Sequence, residues 1–518
     1  MKELPRIEKT DGRWQLTVDG RPMLLFSGEI HNSSASSAEY MEECVWPYLR
    51  PLNMNAVIAP VYWQLIEPRE GEFDFELLDA LIDQARRESM RLALLWFGLW
   101  KNGESTYVPD WVKRDQKRFF WARDSYGRPI YTISPFCEDA IEADARAFAR
   151  LMRHIREKDQ DEQTVIMIQL ENEIGTLGVE RDFSDAAQRA FEGDVPAVMP
   201  GAHGTWAESY GEEAPVYLME YAYAAAVERI ARAGQAEYAL PMYVNAWLEQ
   251  FPWRPGAWPC GCPVARFIPV WQACAPSVAF SAPDIYVTDF AGVCEDYTSH
   301  DNPLFIPEHR QDLRHMSDVL YAYGKGALCF APFGLEDFFT PLSENAPLDN
   351  RAQILANRKT ACPESGAYLA GAYKLMAGIE PLLHRALREG RVYPFIRRTE
   401  HEPGCELKMG EYRLRLNFKD AEGPRSAGFV IDNGGGDFFI VGSNVNGAFF
   451  GLYDDPRPVR ALAIEEGAFE NGVWQRGRLL NGDEAGLYLR HARGHPCPAV
   501  LSDVKRAFPN SISRNFGA

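Results

Sequence analysis

From residue 23 to about residue 335 the chain repeats one pattern, a short apolar run followed by a longer amphipathic stretch. The runs are MLLFSGEIH, NAVIAPVYW, RLALLWFGLW, TVIMIQLENE, YALPMYVNAW, PDIYVTDF, PLFIPE and ALCFAPFG. Apolar along their whole length, they read as strands buried on both faces, as parallel pairing requires. Between them FELLDALIDQARRESM sets Phe75, Leu78, Ile82 and Ala85 at helical spacing. EDAIEADARAFARLMRHIREKD and PVYLMEYAYAAAVERIARAG are further helical stretches. Eight such units predict an α/β fold, a (β/α)8 TIM barrel, over an open sheet. Ahead of them WQLTVDGRPMLLF predicts a hairpin, with Asp19-Gly20 as its turn and Met23 to Phe26 as its second strand.

After about residue 390 the pattern changes to alternation broken by Gly, Asn and Asp, as in EYRLRLNFKD and SAGFVIDNGGGDFFIVGSNVNGAFFGLY. That texture predicts a C-terminal antiparallel β-sandwich. The expected division is 1–385 for the barrel with its N-terminal hairpin and 386–518 for the β domain. Long insertions are expected at about 176–236 and 250–280, and the helix around ESGAYLAGAYKLMAGIEPLLHRAL is expected to close the barrel.

The 518 residues are 46% apolar and 25% charged, the balance of a globular protein. A net charge of −19 repels phosphate backbones and acidic membranes, so neither nucleic acid nor membrane is an expected partner. The opening MKELPRIEKTDGRW has no apolar core of a signal sequence, and a cytoplasmic location is expected. Ten cysteines are scattered; only Cys260 and Cys262 are close, which is too few ligands for a structural zinc site. No metal and no cofactor are expected.

In a barrel enzyme the chemistry lies at the C-terminal strand ends. Those ends hold Glu29 and His31; Trp63; Trp100, Lys101 and Asn102; Asn172 and Glu173; Asn245 and Trp247; Tyr286; Glu308; and Phe333 and Glu336. Flat rings stack on sugar faces, and carboxylates and amides bind hydroxyls, so the set suits a small saccharide or glycoside. Glycoside hydrolysis needs one carboxylic acid for the leaving oxygen and a second carboxylate, about 5–5.5 Å away in the retaining mechanism. Glu173 and Glu308, each ending an apolar run, are the expected pair, with Asp289, Glu295 and Glu336 as competitors for the second role. Glu171, two residues before Glu173, is expected on the same side of its strand in a structural, paired role.

LENEIG, FSGEIHNSS and LNMNAVIAPVYWQLIEPREGEFDF resemble motifs of family 35 β-galactosidases, (β/α)8 retaining glycosidases. LLWFGLWKNG, YVPDWVK, PMYVNAWL, IPVWQACAPS, APDIY and LFIPEHR are similar to a bacterial branch of β-galactosidase-like proteins, across nearly the whole chain. The resemblance implies Glu173 as acid/base and Glu308 as nucleophile of a retaining exo-β-galactosidase. Three departures stand out: Asn32 follows His31 where the family has Tyr, Pro60 stands where it has Tyr, and WFGLWK replaces its Ala-Glu-Trp. A sugar-binding carboxylate is thus missing from the third strand, where Lys101 or Asn102 would take its task. Other glycones (glucose, mannose, fucose, arabinose), a non-catalytic carbohydrate-binding barrel and a lysine aldolase at Lys101 stay open, as does self-association.

Overall fold

The computed structural model describes residues 2–338, 362–419, 423–452, 459, 461–482, 487–489 and 499–502. The chain forms two compact units, one of residues 1–9, 14–310 and 327–340, the other of 10–13, 311–326 and 341–518.

The first unit is an α/β fold around a curled parallel sheet. Its strands are β1 (Leu25–Phe26), β2 (Ala56–Tyr62), β3 (Arg91–Lys101), β4 (Val165–Asn172), β5 (Met242–Trp247), β6 (Phe280–Ile285), β7 (Phe305–Ile306, then Glu308–His309) and β8 (Cys329–Phe330). Parallel pairings run β2–β3–β4–β5–β6–β7 and continue from β7 to β8 and from β8 to β1. Single bridges from Glu29, just after β1, reach Ile58 of β2 on one side and Phe333, just after β8, on the other. Every residue of β2, β4 and β6 is buried, as the unbroken apolar runs require. The longest helices between strands include α1 (Glu76–Arg87), α2 (Glu138–Asp159) and α3 (Ala214–Glu237). In α1 the buried Leu78, Leu81, Ile82 and Ala85 form the apolar stripe, while Glu76 and Asp79 in the first turn and Arg86 and Arg87 in the last complement the helix dipole.

Several boundaries differ from the sequence reading. The hairpin's second strand stops at Met23, because Leu25–Phe26 belongs to the parallel sheet; a strand at Arg6–Thr10 completes a three-stranded N-terminal sheet. β6 lies at Phe280–Ile285, three residues earlier than PDIYVTDF, with Pro283 inside it opposite Ala246. α3, at Ala214–Glu237, holds the expected helix PVYLMEYAYAAAVERIARAG within the 176–236 stretch. Pro307, which has no N–H for a ladder, splits β7: Phe305–Ile306 pairs with β8, and Glu308–His309 pairs with β6.

In the second unit the helix Pro363–Arg388 groups with the C-terminal sheets, not with the parallel sheet. One antiparallel sheet orders its strands as 392–396, 427–434, 437–443, 499–502, 464–470 and 473–480; the other as 404–409, 412–418, 445–451 and 487–489. Phe395, Val430 and Ile440 from the first and Met409, Leu414, Leu416 and Val445 from the second share one buried cluster. Arg425 caps this unit's interior with a buried two-pronged ion pair to Asp318, at 2.6 and 2.5 Å. The expected β domain ran to residue 518; the stretch after 502 lies outside the described residues. Among the described residues no helix is long and apolar enough to cross a membrane.

Candidate active site

The end of β4 decides the layout. Glu171 (φ 59°) and Glu173 (φ 43°) both occupy the left-handed region, which non-glycine residues rarely adopt. Two such residues flanking Asn172 break the two-residue alternation, so Glu171 and Glu173 do not share a side as the period predicts. Glu171 turns to α2 and Glu173 to the strand tips.

Glu171 is fully buried. Its oxygens accept the N–H groups of Leu99 (3.1 Å) and Trp100 (2.7 Å), and it hydrogen-bonds Asp144 of α2. Asp144 accepts from Trp96 Nε1 (2.7 Å) and Leu99 N (2.9 Å). β3 bulges to make this possible: Trp96 sits opposite Leu170 and Lys101 opposite Asn172, leaving 97–100 to loop around the two acids. Gly98 lies at the contact, where a Cβ would come within 2.4 Å of Asp144 Oδ2 and 2.7 Å of Glu171 Oε1. Burial first, then the Asp144 charge, raises the Glu171 carboxyl well above its ordinary range; burial raises Asp144 to about 6. The two therefore hold a proton between them. Unfolding exposes acids that ionise near pH 4, so the pair's contribution is complete below that and falls as pH rises through about 6. Glu171→Gln keeps an oxygen for Trp100 N–H and a donor for Asp144, and is expected to fold with near wild-type stability. Glu171→Leu orphans both partners and is expected to cost at least about 1–3 kcal/mol in urea denaturation.

The bulge delivers Lys101 and Asn102 to the tips. Lys101 is only 7% exposed, with Nζ 5.0 Å from the Phe97 ring centroid, and its charge acts on Glu29 and Glu173. Asn102 Oδ1 accepts from Asn172 Nδ2 at 3.1 Å. Asn172 Oδ1 accepts from Gln169 and Asn245, so its amide holds the scaffold and uses one of its two N–H donors doing so. Asn245 is more fully engaged: Oδ1 accepts from Glu173 N (2.9 Å), and Nδ2 donates to Asn172 Oδ1 (3.1 Å) and Asp284 Oδ2 (2.7 Å).

Glu173 and Glu308 come together, joined by a carboxylate absent from the sequence reading. One oxygen each of Glu173, Asp284 and Glu308 lies within 4.8 Å of the others, a set that could also receive a cation. Asp284 escaped notice because placing the strand at 283–290 put its tip at Tyr286 and beyond; the signal was its two-residue spacing from Tyr286. Tyr286, 43% exposed, donates its hydroxyl to Glu308 Oε2 at 2.5 Å. Beneath them Tyr243, Phe280 and Phe305 form an aromatic floor with centroids 4.8–5.3 Å apart. Burial over this floor, then repulsion from Glu308, raises Glu173 to about 7, against the opposing effects of Lys101 and a hydrogen bond with Asp284. Burial and Glu308 likewise raise Glu29, whose two oxygens are buried and have no hydrogen-bond partner among the described residues.

The other expected residues divide. His31 keeps its ring edge-on to Phe333, with Nε2 3.1 Å from Asp337. Glu336 accepts from His31 N and Ser34 Oγ, so it holds the loop after β1. Trp247 ends β5 half-buried. Trp63 and Trp100 are core: both are buried, with ring N–H groups bonded to Glu67 and the Ile133 carbonyl, and Trp111 and Tyr223 pack edge-on against them. Asp289 caps the helix Phe290–Thr298, which also carries Glu295, so neither competes with Glu308.

Residues 48–212 match the glycoside hydrolase 42 family, described as beta-galactosidase, and residues 369–492 match a domain of unknown function, DUF5597. A beta-galactosidase of Xanthomonas manihotis is 38% identical over 61 residues, 12% of this chain and 10% of that protein. Among solved structures, a beta-galactosidase from Bacillus circulans sp. alkalophilus aligns at 13% identity and TM-score 0.44, over 60% of this chain and 50% of its own. The beta-amylase catalytic domain from Paenibacillus polymyxa aligns at 11% identity and TM-score 0.46, over 65% and 98%. The chain thus spans a tenth of the Xanthomonas protein's length and half of the Bacillus one's. Within residues 48–212 the chain carries a glycoside hydrolase family domain, one that the match does not assign specifically to family 35.

Proposed function

We propose that this chain is a retaining exo-β-glycosidase of the (β/α)8 type with a C-terminal β-sandwich, acting on terminal β-galactosides of small saccharides. Glu173 protonates the glycosidic oxygen while Glu308 attacks the anomeric carbon; Glu173 then takes a proton from the water that releases the sugar. The supporting observation is the approach of the Glu173 and Glu308 carboxyl oxygens to within 4.8 Å. Inverting enzymes hold their carboxyl groups about 6.5–9.5 Å apart to admit a water between them. The division of charge fits as well: Glu173, raised to about 7, retains a large protonated fraction near neutral pH, as an acid catalyst must. Glu29, Lys101, Asn102, His31 and Trp247 would contact the sugar, and Asn172, Asn245, Phe333 and Glu336 would hold the framework.

A second reading, the same mechanism with another glycone, is favoured by the third-strand tip, where Lys101-Asn102 stands in place of a sugar-binding carboxylate. A panel of p-nitrophenyl β-glycosides with the product anomer followed by proton NMR tests both. The expected result is hydrolysis of the β-galactoside with β-galactose as first product. A first-formed α-anomer would remove the retaining mechanism, and no turnover of any glycoside would remove the enzyme reading.

A further inference from the structure

The glycosidase reading asks for two carboxyl groups, and the site holds a third with an oxygen within 4.8 Å of each. Asp284 is 3% exposed and pairs in register with Glu308 across β6 and β7, which places the two side chains on one face. Its Oδ2 accepts from Asn245 Nδ2 at 2.7 Å, and that Asn245 amide also receives the Glu173 backbone N–H, so the same residue fixes both acids. Asp284 hydrogen-bonds the Glu173 side chain, and its Oδ1 is buried with no donor to it among the described residues. Two carboxyl groups in such contact need a proton between them, and three anions this close over an aromatic floor would repel strongly.

Resting on the glycosidase reading, we infer that Asp284 is a positioning residue that works through Glu173, its carboxyl O–H donating a hydrogen bond to the Glu173 carboxyl oxygen. In the first step the Glu173 proton goes to the glycosidic oxygen, the C–O bond to the leaving group breaks, and a Glu308 oxygen bonds to the anomeric carbon. Glu173 is then a buried anion, and the Asp284 O–H stabilises it without giving its proton away. In the second step Glu173 removes a proton from water, the water oxygen bonds to the anomeric carbon, and Glu308 leaves as carboxylate. Asp284 ends each cycle with the proton it started with.

The charged and titratable groups facing Asp284 come from every neighbouring strand: Glu29 (β1 end), Lys101 (β3), Glu173 (β4 end), Tyr243 (β5), Tyr286 (β6 end) and Glu308 (β7), with Cys262 and Tyr297 behind. Burial and the three acids, Glu308 first, favour the protonated form of Asp284. Lys101 favours the charged forms of Glu29 and Glu173, which adds to the negative charge that Asp284 meets.

The test uses full-length protein with carbon-13-labelled glutamate carboxyls, the Glu173 signal being identified by its loss in Glu173→Gln. Removing the donor in Asp284→Ala is expected to raise the Glu173 midpoint by about one pH unit, equivalent to about tenfold in its ionisation constant. Asp284→Asn can keep its oxygen toward Asn245 and present an N–H to Glu173, so its midpoint is expected to stay within about half a unit of wild type. The alkaline limb of kcat/KM for an aryl glycoside should move with the midpoint in each variant. A midpoint that stays or falls in Asp284→Ala, or an effect confined to KM, overturns the inference and makes Asp284 a sugar ligand. If Asp284→Ala does not fold, Asp284→Asn decides alone: a midpoint moved by a full unit overturns the proposal. The titration needs no substrate, so a wild type inert on every glycoside would remove the glycosidase reading while the carboxyl result still stood.

Discussion

Glu308→Ala is expected to lose at least about 10⁴-fold in kcat on any β-glycoside the wild type turns over, since covalent attack has no substitute group in the site. Tyr286 donates to Glu308 Oε2 and would hold a water or the substrate in its place, but neither forms the glycosyl-enzyme. Asp284 is held by its hydrogen bonds with Asn245 and Glu173. The gap left by the carboxylate suits a small anion. Added azide should restore turnover by attacking the anomeric carbon directly, giving an α-glycosyl azide from a β-glycoside in a single displacement. Steady-state rates with and without azide and proton NMR of the product read both halves of the expectation. Wild-type activity in this variant would sink the assignment of Glu308. A collateral effect follows from electrostatics: repulsion from Glu308 is the second-largest cause raising Glu173, so its midpoint should fall below about 7 in the variant.

Glu173→Gln should show a loss that depends on the leaving group. A poor leaving group such as a sugar alcohol needs protonation, and removal of a general acid costs about 10²–10⁴-fold. A 2,4-dinitrophenolate leaves without help, so glycosylation survives while the second step, now lacking its base, stalls. A covalent glycosyl-enzyme should then accumulate with a burst of one phenolate per site and appear by mass spectrometry on the peptide containing Glu308. The pH dependence carries the same information. With Glu173 protonated below about 7, kcat/KM on an unactivated glycoside should fall about tenfold per pH unit above that value. The limb should vanish in Glu173→Gln. Equal losses on activated and unactivated substrates would argue against Glu173 as the acid.

Much of this architecture could be read from apolar run and amphipathic stretch alone. The runs around Ala56–Tyr62, Arg91–Lys101 and Val165–Asn172 lie where burial on both faces demands strands. The expected pair Glu173 and Glu308 came from the same pattern, each directly ending an apolar run, together with the need of glycoside hydrolysis for two carboxyl groups. What escaped was local geometry. A two-residue period cannot foresee left-handed backbone at Glu171 and Glu173, so the direction of Glu171 was misjudged. Pro283 reads as a strand breaker, yet it sits within β6, and the resulting shift hid Asp284. Trp63 and Trp100 look like sugar platforms at strand ends, and only their neighbours Glu67 and Ile133 reveal them as core. Asp144 left a faint sign, an acid on the apolar side of α2 among Ala140, Ile141, Ala147 and Phe148.

The interruption of β7 at Pro307 gives the two halves of the chemistry separate carriers. Upstream of it, Phe305–Ile306 is fastened to β8; downstream, Glu308 is fastened to β6 beside Asp284 and Tyr286. The proton-handling group rides on β4 and β5 through Asn172 and Asn245. Attack and protonation thus belong to two adjoining cassettes meeting at the Asn245–Asp284 contact. Loops beyond either cassette can be rebuilt for a new glycone without resetting the distance between the reacting groups, which makes that contact, with the β5–β6 pairing and the Asp284–Glu173 hydrogen bond beside it, the place to leave untouched in redesign.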